Sequence, residues 1–248
     1  MSIEMAGSMR LGPRATGSAA PTTLVEYLES IGKDSWYSIF EAGTGMFQNS
    51  NGTGSVASGD PVGCWVAAYQ VGATFKFHQP TSGSRPTYST TQYDQPTIYG
   101  NGSSHSLYTD STTALNRELT VLAQFQTNNG TGMIWSQNST QWALRMVATN
   151  SPPSFIEFGS NIEALALEDS DTVSASAYSM RGKATAGTGR RRAGFNSSAR
   201  TTRHGNAMYL FSSTGSSTFS AAGIRRLAII EPRLTFVELA TALQFMVS

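Results

Sequence analysis

A single cysteine, Cys64, stands in the 248 residues, so no disulfide can form within the chain. A large secreted domain folds without one, so this absence excludes little. No run approaches the ~20 consecutive apolar residues that a membrane-crossing helix needs, and no membrane span is expected. The opening residues, MSIEMAGSMRLGPRATGSAAPTT, lack an apolar core of signal-peptide length, which points to synthesis and release in the cytosol. Repeats, heptads and Gly-X-Y tracts are absent too, so the chain does not build its own fibrous stalk.

Groups that carry chemistry are also scarce. The three histidines, His78, His105 and His204, lie far apart in sequence, and none neighbours Cys64. They read as ordinary polar or half-buried residues, and neither a metal nor a cofactor is expected. A glycosidase needs two carboxylates about 5–10 Å apart around its sugar. The one acidic cluster is LEDSD, with Glu168, Asp169 and Asp171. It has no aromatic neighbours to form a sugar platform, and it lacks a recognised calcium-loop spacing. It reads as an acidic loop, and enzymatic activity is not expected.

What is present is a turn-rich β pattern. Aromatics make up 10% of the chain and charged residues 13%, with 24 glycines between short apolar runs. ELTVLAQFQ (Glu118–Gln126) alternates, with Leu119, Val121, Ala123 and Phe125 on one face. QWALRMVA, SFIEF, TVSASAYSM and AMYLFSS continue the pattern, and GIRRLAII is a strong late strand. Such alternation predicts one buried and one solvated face per strand, as in two packed antiparallel sheets. Two short helices bracket the strands. Thr23 and Glu26 have capping-box spacing ahead of Leu24, Leu28 and Ile31, with Gly32 as the stop. Thr235 and Glu238 repeat the device before an apolar stripe of Phe236, Leu239, Leu243 and Met246.

Charge is unevenly spread. Residues 1–180 carry 7 Lys/Arg and 14 Asp/Glu, whereas residues 181–248 carry 10 and 2, which together give the net +1. The densest stretch, GKATAGTGRRRAGFNSSARTTRH (Gly182–His204), lacks the order of a phosphate-binding loop. Arg190, Arg191, Arg192, Arg200 and Arg203 suit bidentate contact with an anionic partner or an acidic glycan. Phe195 is the one aromatic there, which argues against nucleic acid. Residues 1–22 read as an extended docking arm, with Met1, Ile3, Met5, Met9 and Leu11 as apolar anchors and Arg10 and Arg14 as polar ones. Residues 23–248 read as a single domain.

The segment GDPVGCWVAAYQVGATFKFHQPTSGSRPTY (Gly59–Tyr88) reads as scaffold. Asp60-Pro61 predicts a turn, Trp65 a packing residue, Phe75 and Phe77 one strand face with Lys76 on the other, and Pro86 an extended Arg85. Trp36-Tyr37, the element from Phe47 through GDPVGCW to Trp65, and Gln79 with Arg85–Tyr88 together resemble the entry of a concanavalin A-like (LamG-like) jelly-roll family. That family is common among structural proteins of tailed bacteriophages. The resemblance implies an all-β, antiparallel two-sheet jelly-roll sandwich with short N- and C-terminal helices. It also implies a non-enzymatic virion protein made in the host cytoplasm, tail-associated or host-facing. Its expected partners are other virion proteins, further copies of itself and an acidic host glycan. A carbohydrate-binding adhesin and a capsid decoration protein are the alternatives. CWVAAYQVGATF departs from the family pattern by being more apolar after the tryptophan, which suggests an edge buried against a partner.

Overall fold

The computed structural model describes residues 20–72, 75–91, 95–110, 120–127, 132–137, 143–147, 155–158, 173–179, 183–188, 192–196, 207–212, 219–231 and 234–247. In chain order its elements begin with helix α1 (Leu24–Ser30), then strands β1 (Trp36–Glu41), β2 (Met46–Phe47), β3 (Cys64–Val66) and β4 (Tyr69–Val71). Next come β5 (Lys76–His78), β6 (Thr87–Ser89), β7 (Thr97–Tyr99), β8 (Leu107–Tyr108) and β9 (Thr120–Thr127). They are followed by β10 (Gly132–Gln137), β11 (Ala143–Val147), β12 (Phe155–Phe158), β13 (Val173–Ser179) and β14 (Lys183–Thr188). The chain closes with β15 (Arg192–Asn196), β16 (Met208–Leu210), β17 (Ala222–Glu231) and helix α2 (Phe236–Val247).

Two antiparallel sheets form the sandwich that the sequence pattern predicts. One has nine strands, ordered β15-β14-β13-β9-β17-β1-β4, with β7 and β6 continuing beside β17. The other has eight, ordered β12-β11-β10-β16-β8-β5-β3-β2. The core between them takes alternate residues from both: Phe40, Val121, Phe125, Ile224, Leu227 and Ile229 from one, Trp65, Phe77, Leu107, Trp135 and Leu210 from the other. Phe40 sits at the aromatic centre, edge-on to Trp65 at 5.3 Å and to Phe77 at 5.1 Å. Trp65 also donates its indole N–H to the Glu41 carbonyl at 3.3 Å.

The nine-stranded sheet departs from the expected division into a wet and a dry face. Leu122, Ala228 and Ile230 point away from the inter-sheet core yet are wholly buried, packed with Leu24 and Leu28 of α1 and Leu239, Leu243 and Met246 of α2. Both helices lie on this outer face. A strand dry on both sides reads as a continuous apolar run, which is why LAII in β17 does not alternate. Both helix starts follow the capping-box rule. Thr23 accepts from the Glu26 N–H at 3.2 Å, and Glu26 Oε2 accepts from the N–H groups of Thr23 at 3.2 Å and Thr22 at 2.7 Å. At α2, the Thr235 N–H donates to Glu238 Oε2 at 2.6 Å. Arg226 bridges strand and helix: its Nε lies 3.3 Å from Glu41, and Nη1 donates to the Phe245 carbonyl at 3.0 Å, near the negative end of α2.

One local expectation changes. The turn before the Trp65 strand is Ala57–Asp60, closed by the Asp60 N–H on the Ala57 carbonyl at 3.0 Å. Asp60 Oδ2 accepts from the Ala57 N–H at 2.8 Å, and Pro61 already lies in a bridge with Thr87. The carboxylate bonded back to the loop, rather than the proline ring, sets the bend. The apolar segment after Trp65 supplies β4, an end strand of the nine-stranded sheet, and there Tyr69 and Val71 are exposed on the single chain.

Candidate functional site

Helices cover the outside of one sheet. Among the described residues, no helix packs on the outside of the other sheet. Alternation decides which side chains point there. In β2, β3, β5, β8 and β16 the residues Met46, Trp65, Phe77, Leu107, Met208 and Leu210 turn inward. Their neighbours Phe47, Cys64, His78, Tyr108 and Tyr209 therefore turn outward.

Strand register then sets these outward residues side by side. Phe47 pairs with Cys64, Cys64 with His78, His78 with Tyr108, Tyr108 with Tyr209, and Tyr209 with Ser136. Phe47, His78, Tyr108 and Tyr209 are half-buried, and Cys64 and Ser136 are buried. The His78 and Tyr108 rings lie 4.8 Å apart at 54°, and those of Tyr108 and Tyr209 lie 5.9 Å apart at 39°. His78, Tyr108 and Tyr209 thus form a band of tilted rings across β5, β8 and β16, at the spacing where cross-strand aromatic pairs stabilise a sheet, and Cys64 separates it from Phe47.

Charge enters at one side of the band. Asp110 follows Tyr108 by two residues and returns to the same face. Its Oδ1 lies 3.0 Å from His78 Nε2, within ion-pair distance though off the line of a good hydrogen bond. The Asp110 side chain is 63% exposed and that of His78 17% exposed, so the carboxylate presents to solvent while the imidazole is held beneath it. Burial first, then the neighbouring Tyr209 and Asp110, push the Tyr108 phenol up, and it therefore stays a protonated donor at neutral pH. Lys76 shares this face but reaches toward the Ser50 carbonyl at 3.5 Å. The Cys64 thiol is likewise pushed up, by burial, which removes it as a ready nucleophile.

This arrangement can stack a flat apolar face, and it can donate and accept hydrogen bonds at the edge of the stack. Among the described residues, no three His, Cys, Asp or Glu side chains gather as metal ligands.

Of the sequence-predicted site residues, the structure describes Arg192. Met1, Ile3, Met5, Met9, Arg10, Leu11 and Arg14 fall outside the described residues, as do Arg190, Arg191, Arg200, Arg203, His204 and the acidic cluster Glu168, Asp169 and Asp171. Arg192 opens β15, the end strand of the nine-stranded sheet, where its backbone pairs with Thr188. Phe47 enters the sequence analysis only as part of the family-like element, and Tyr108, Asp110 and Tyr209 are not picked out there as site residues. A tyrosine flanked by inward apolar residues, as in Met208-Tyr209-Leu210, was the available sign.

No family model matches the chain, and no curated protein matches it. Solved structures do match. Trypanosoma rangeli sialidase in complex with 2,3-difluorosialic acid superposes with a TM-score of 0.56 at 12% identity, covering 97% of this chain and 36% of that one. The same sialidase in complex with sialic acid gives 0.56 at 11%, covering 86% and 34%. A structure described as a receptor binding domain gives 0.53 at 9%, covering 89% and 53%. The chain thus spans about a third of the sialidase and about half of the receptor-binding structure. At these identities the likeness is one of fold. It nonetheless corrects one expectation. The sequence reading set enzymes aside, yet the sialidase matches show that nearly the whole of this chain shares its fold with part of an enzyme. The β-sandwich part of the concanavalin A-like resemblance is met, while these structures lend its bacteriophage part no support.

Proposed function

We propose that the chain is a carbohydrate-binding, receptor-recognising β-sandwich domain, with its ligand on the open face of the eight-stranded sheet. The observation that carries this reading is the half-exposed band of His78, Tyr108 and Tyr209, with Phe47 on the same face, edged by the exposed carboxylate of Asp110. A pyranose offers the complement: a flat C–H face and a rim of hydroxyls. Aromatic faces meet the first, and phenol, imidazole and carboxylate meet the second. The fold likeness to a receptor binding domain, and to a sialidase held with a sugar, supports the same reading.

The test is a panel of immobilised glycans probed with the full chain. Wild type binds a subset, and Tyr108→Ala and Tyr209→Ala each weaken that binding by about two- to tenfold, the worth of one aromatic contact. Undiminished binding by both variants would place the ligand elsewhere. The placement in a virion, with residues 1–22 as the docking arm, rests on the sequence resemblance alone. Deleting residues 1–22 should leave glycan binding intact and abolish incorporation into particles, and incorporation of the truncated chain would refute it.

A further inference from the structure

We propose that the aromatic band takes a neutral pyranose and discriminates against carboxylated sugars, with Asp110 as the residue that sets this choice. The inference rests on the carbohydrate-binding reading above and names its ligand class. Among the described residues, Asp110 is the exposed ionisable group in contact with the band, and His78 is its partner at 3.0 Å. With a neutral imidazole the pair carries one negative charge, and with a protonated one it carries none. In neither state is it positive, so a sugar carboxylate stacked on Tyr108 gains no counter-charge from the pair.

Among the side chains described on this face, the other cation is committed. Lys76 reaches the Ser50 carbonyl at 3.5 Å, in the loop that follows β2. Of the arginines that suit an acidic sugar, the described one, Arg192, opens β15 at the end of the opposite sheet. A carboxylate is an acceptor only, and hydroxyl groups are the donors that satisfy it. Asp110 therefore matches vicinal hydroxyls at the rim of a ring lying on Tyr108 and Tyr209. A sugar acid in the same place meets like charge within a few ångströms, which is repulsive even at high dielectric. Exposure of Asp110 keeps this effect moderate and sensitive to salt.

The experiment compares the full chain with methyl glycosides of glucose, galactose and mannose, each set against its C6 uronate, by calorimetric titration at low salt. At least one neutral glycoside should bind, with its uronate about tenfold weaker or worse. Asp110→Asn, isosteric and at an exposed position, should weaken the neutral sugar and bring the two members of the pair within about twofold. A uronate that binds as tightly as its neutral partner overturns the inference. If that binding still falls in Tyr108→Ala, the carbohydrate-binding reading survives while the ligand class does not. Binding unaffected by Tyr108→Ala, or no binding of any glycoside, overturns both.

Discussion

Replacing Leu122 by Ala tests the helix cover on the outer face of the nine-stranded sheet. Leu122 is wholly buried, on the side of β9 away from the inter-sheet core, in the cluster with Leu24, Leu28, Leu239, Leu243 and Met246. On a solvated face the truncation would cost well under 1 kcal/mol, since surface changes fall within about 0.5 kcal/mol. In a close-packed helix–sheet layer it removes the transfer energy of the lost atoms and leaves a cavity, together about 2–5 kcal/mol. For a chain of this size each kcal/mol lowers Tm by roughly 2–4 °C, so the variant should melt roughly 4–20 °C below wild type. Urea unfolding followed by tryptophan fluorescence gives the free energy directly, with the slope unchanged if the compactness of the unfolded state is unaltered. A loss below about 1 kcal/mol would mean that the helices do not seal this face.

Gly45 has φ +64°, and a Cβ there would meet the Val66 carbonyl, so Gly45→Ala should cost about 1–3 kcal/mol by thermal melting; a neutral outcome would show that the turn before β2 yields. His105 is held below its ordinary range by burial, against a smaller upward pull from a backbone bond at Tyr99, and among the described residues its Nδ1 has no hydrogen-bond partner. The unfolded chain then binds the proton more readily, so this contribution to stability is full above pH ~6.5 and is lost as pH falls below it. Urea midpoints across that range should fall more steeply for wild type than for His105→Gln, and parallel curves would show that His105 is solvated.

The readable parts of this sequence were the local ones. Thr23 with Glu26, and Thr235 with Glu238, announce their helices because a capping box closes within one turn. Gly32 stops α1 at φ +67° for the same kind of reason. The inward residues of β9 were legible from alternation, and Val121 and Phe125 are buried as that pattern requires. The fate of Leu122 was not, because the helices that cover it come from opposite ends of the chain and strand periodicity carries no record of them. The candidate site was hidden in the same way. His78, Tyr108 and Tyr209 adjoin only through the register of β5, β8 and β16, strands far apart in sequence. The contact of His78 with Asp110 depends on that register too. Charge runs and short motifs drew attention to the arginines, while the tyrosines looked like ordinary strand residues.

The most direct measurement of the central claim is a titration of the isotopically labelled full chain with a neutral methyl glycoside that it binds, followed by nuclear magnetic resonance. Shifts should concentrate on Phe47, His78, Tyr108, Asp110 and Tyr209, and Tyr108→Ala should raise the glycoside concentration that half-saturates them by about two- to tenfold. Shifts confined to β15 and its neighbours, or spread over the helices on the opposite sheet, would contradict it.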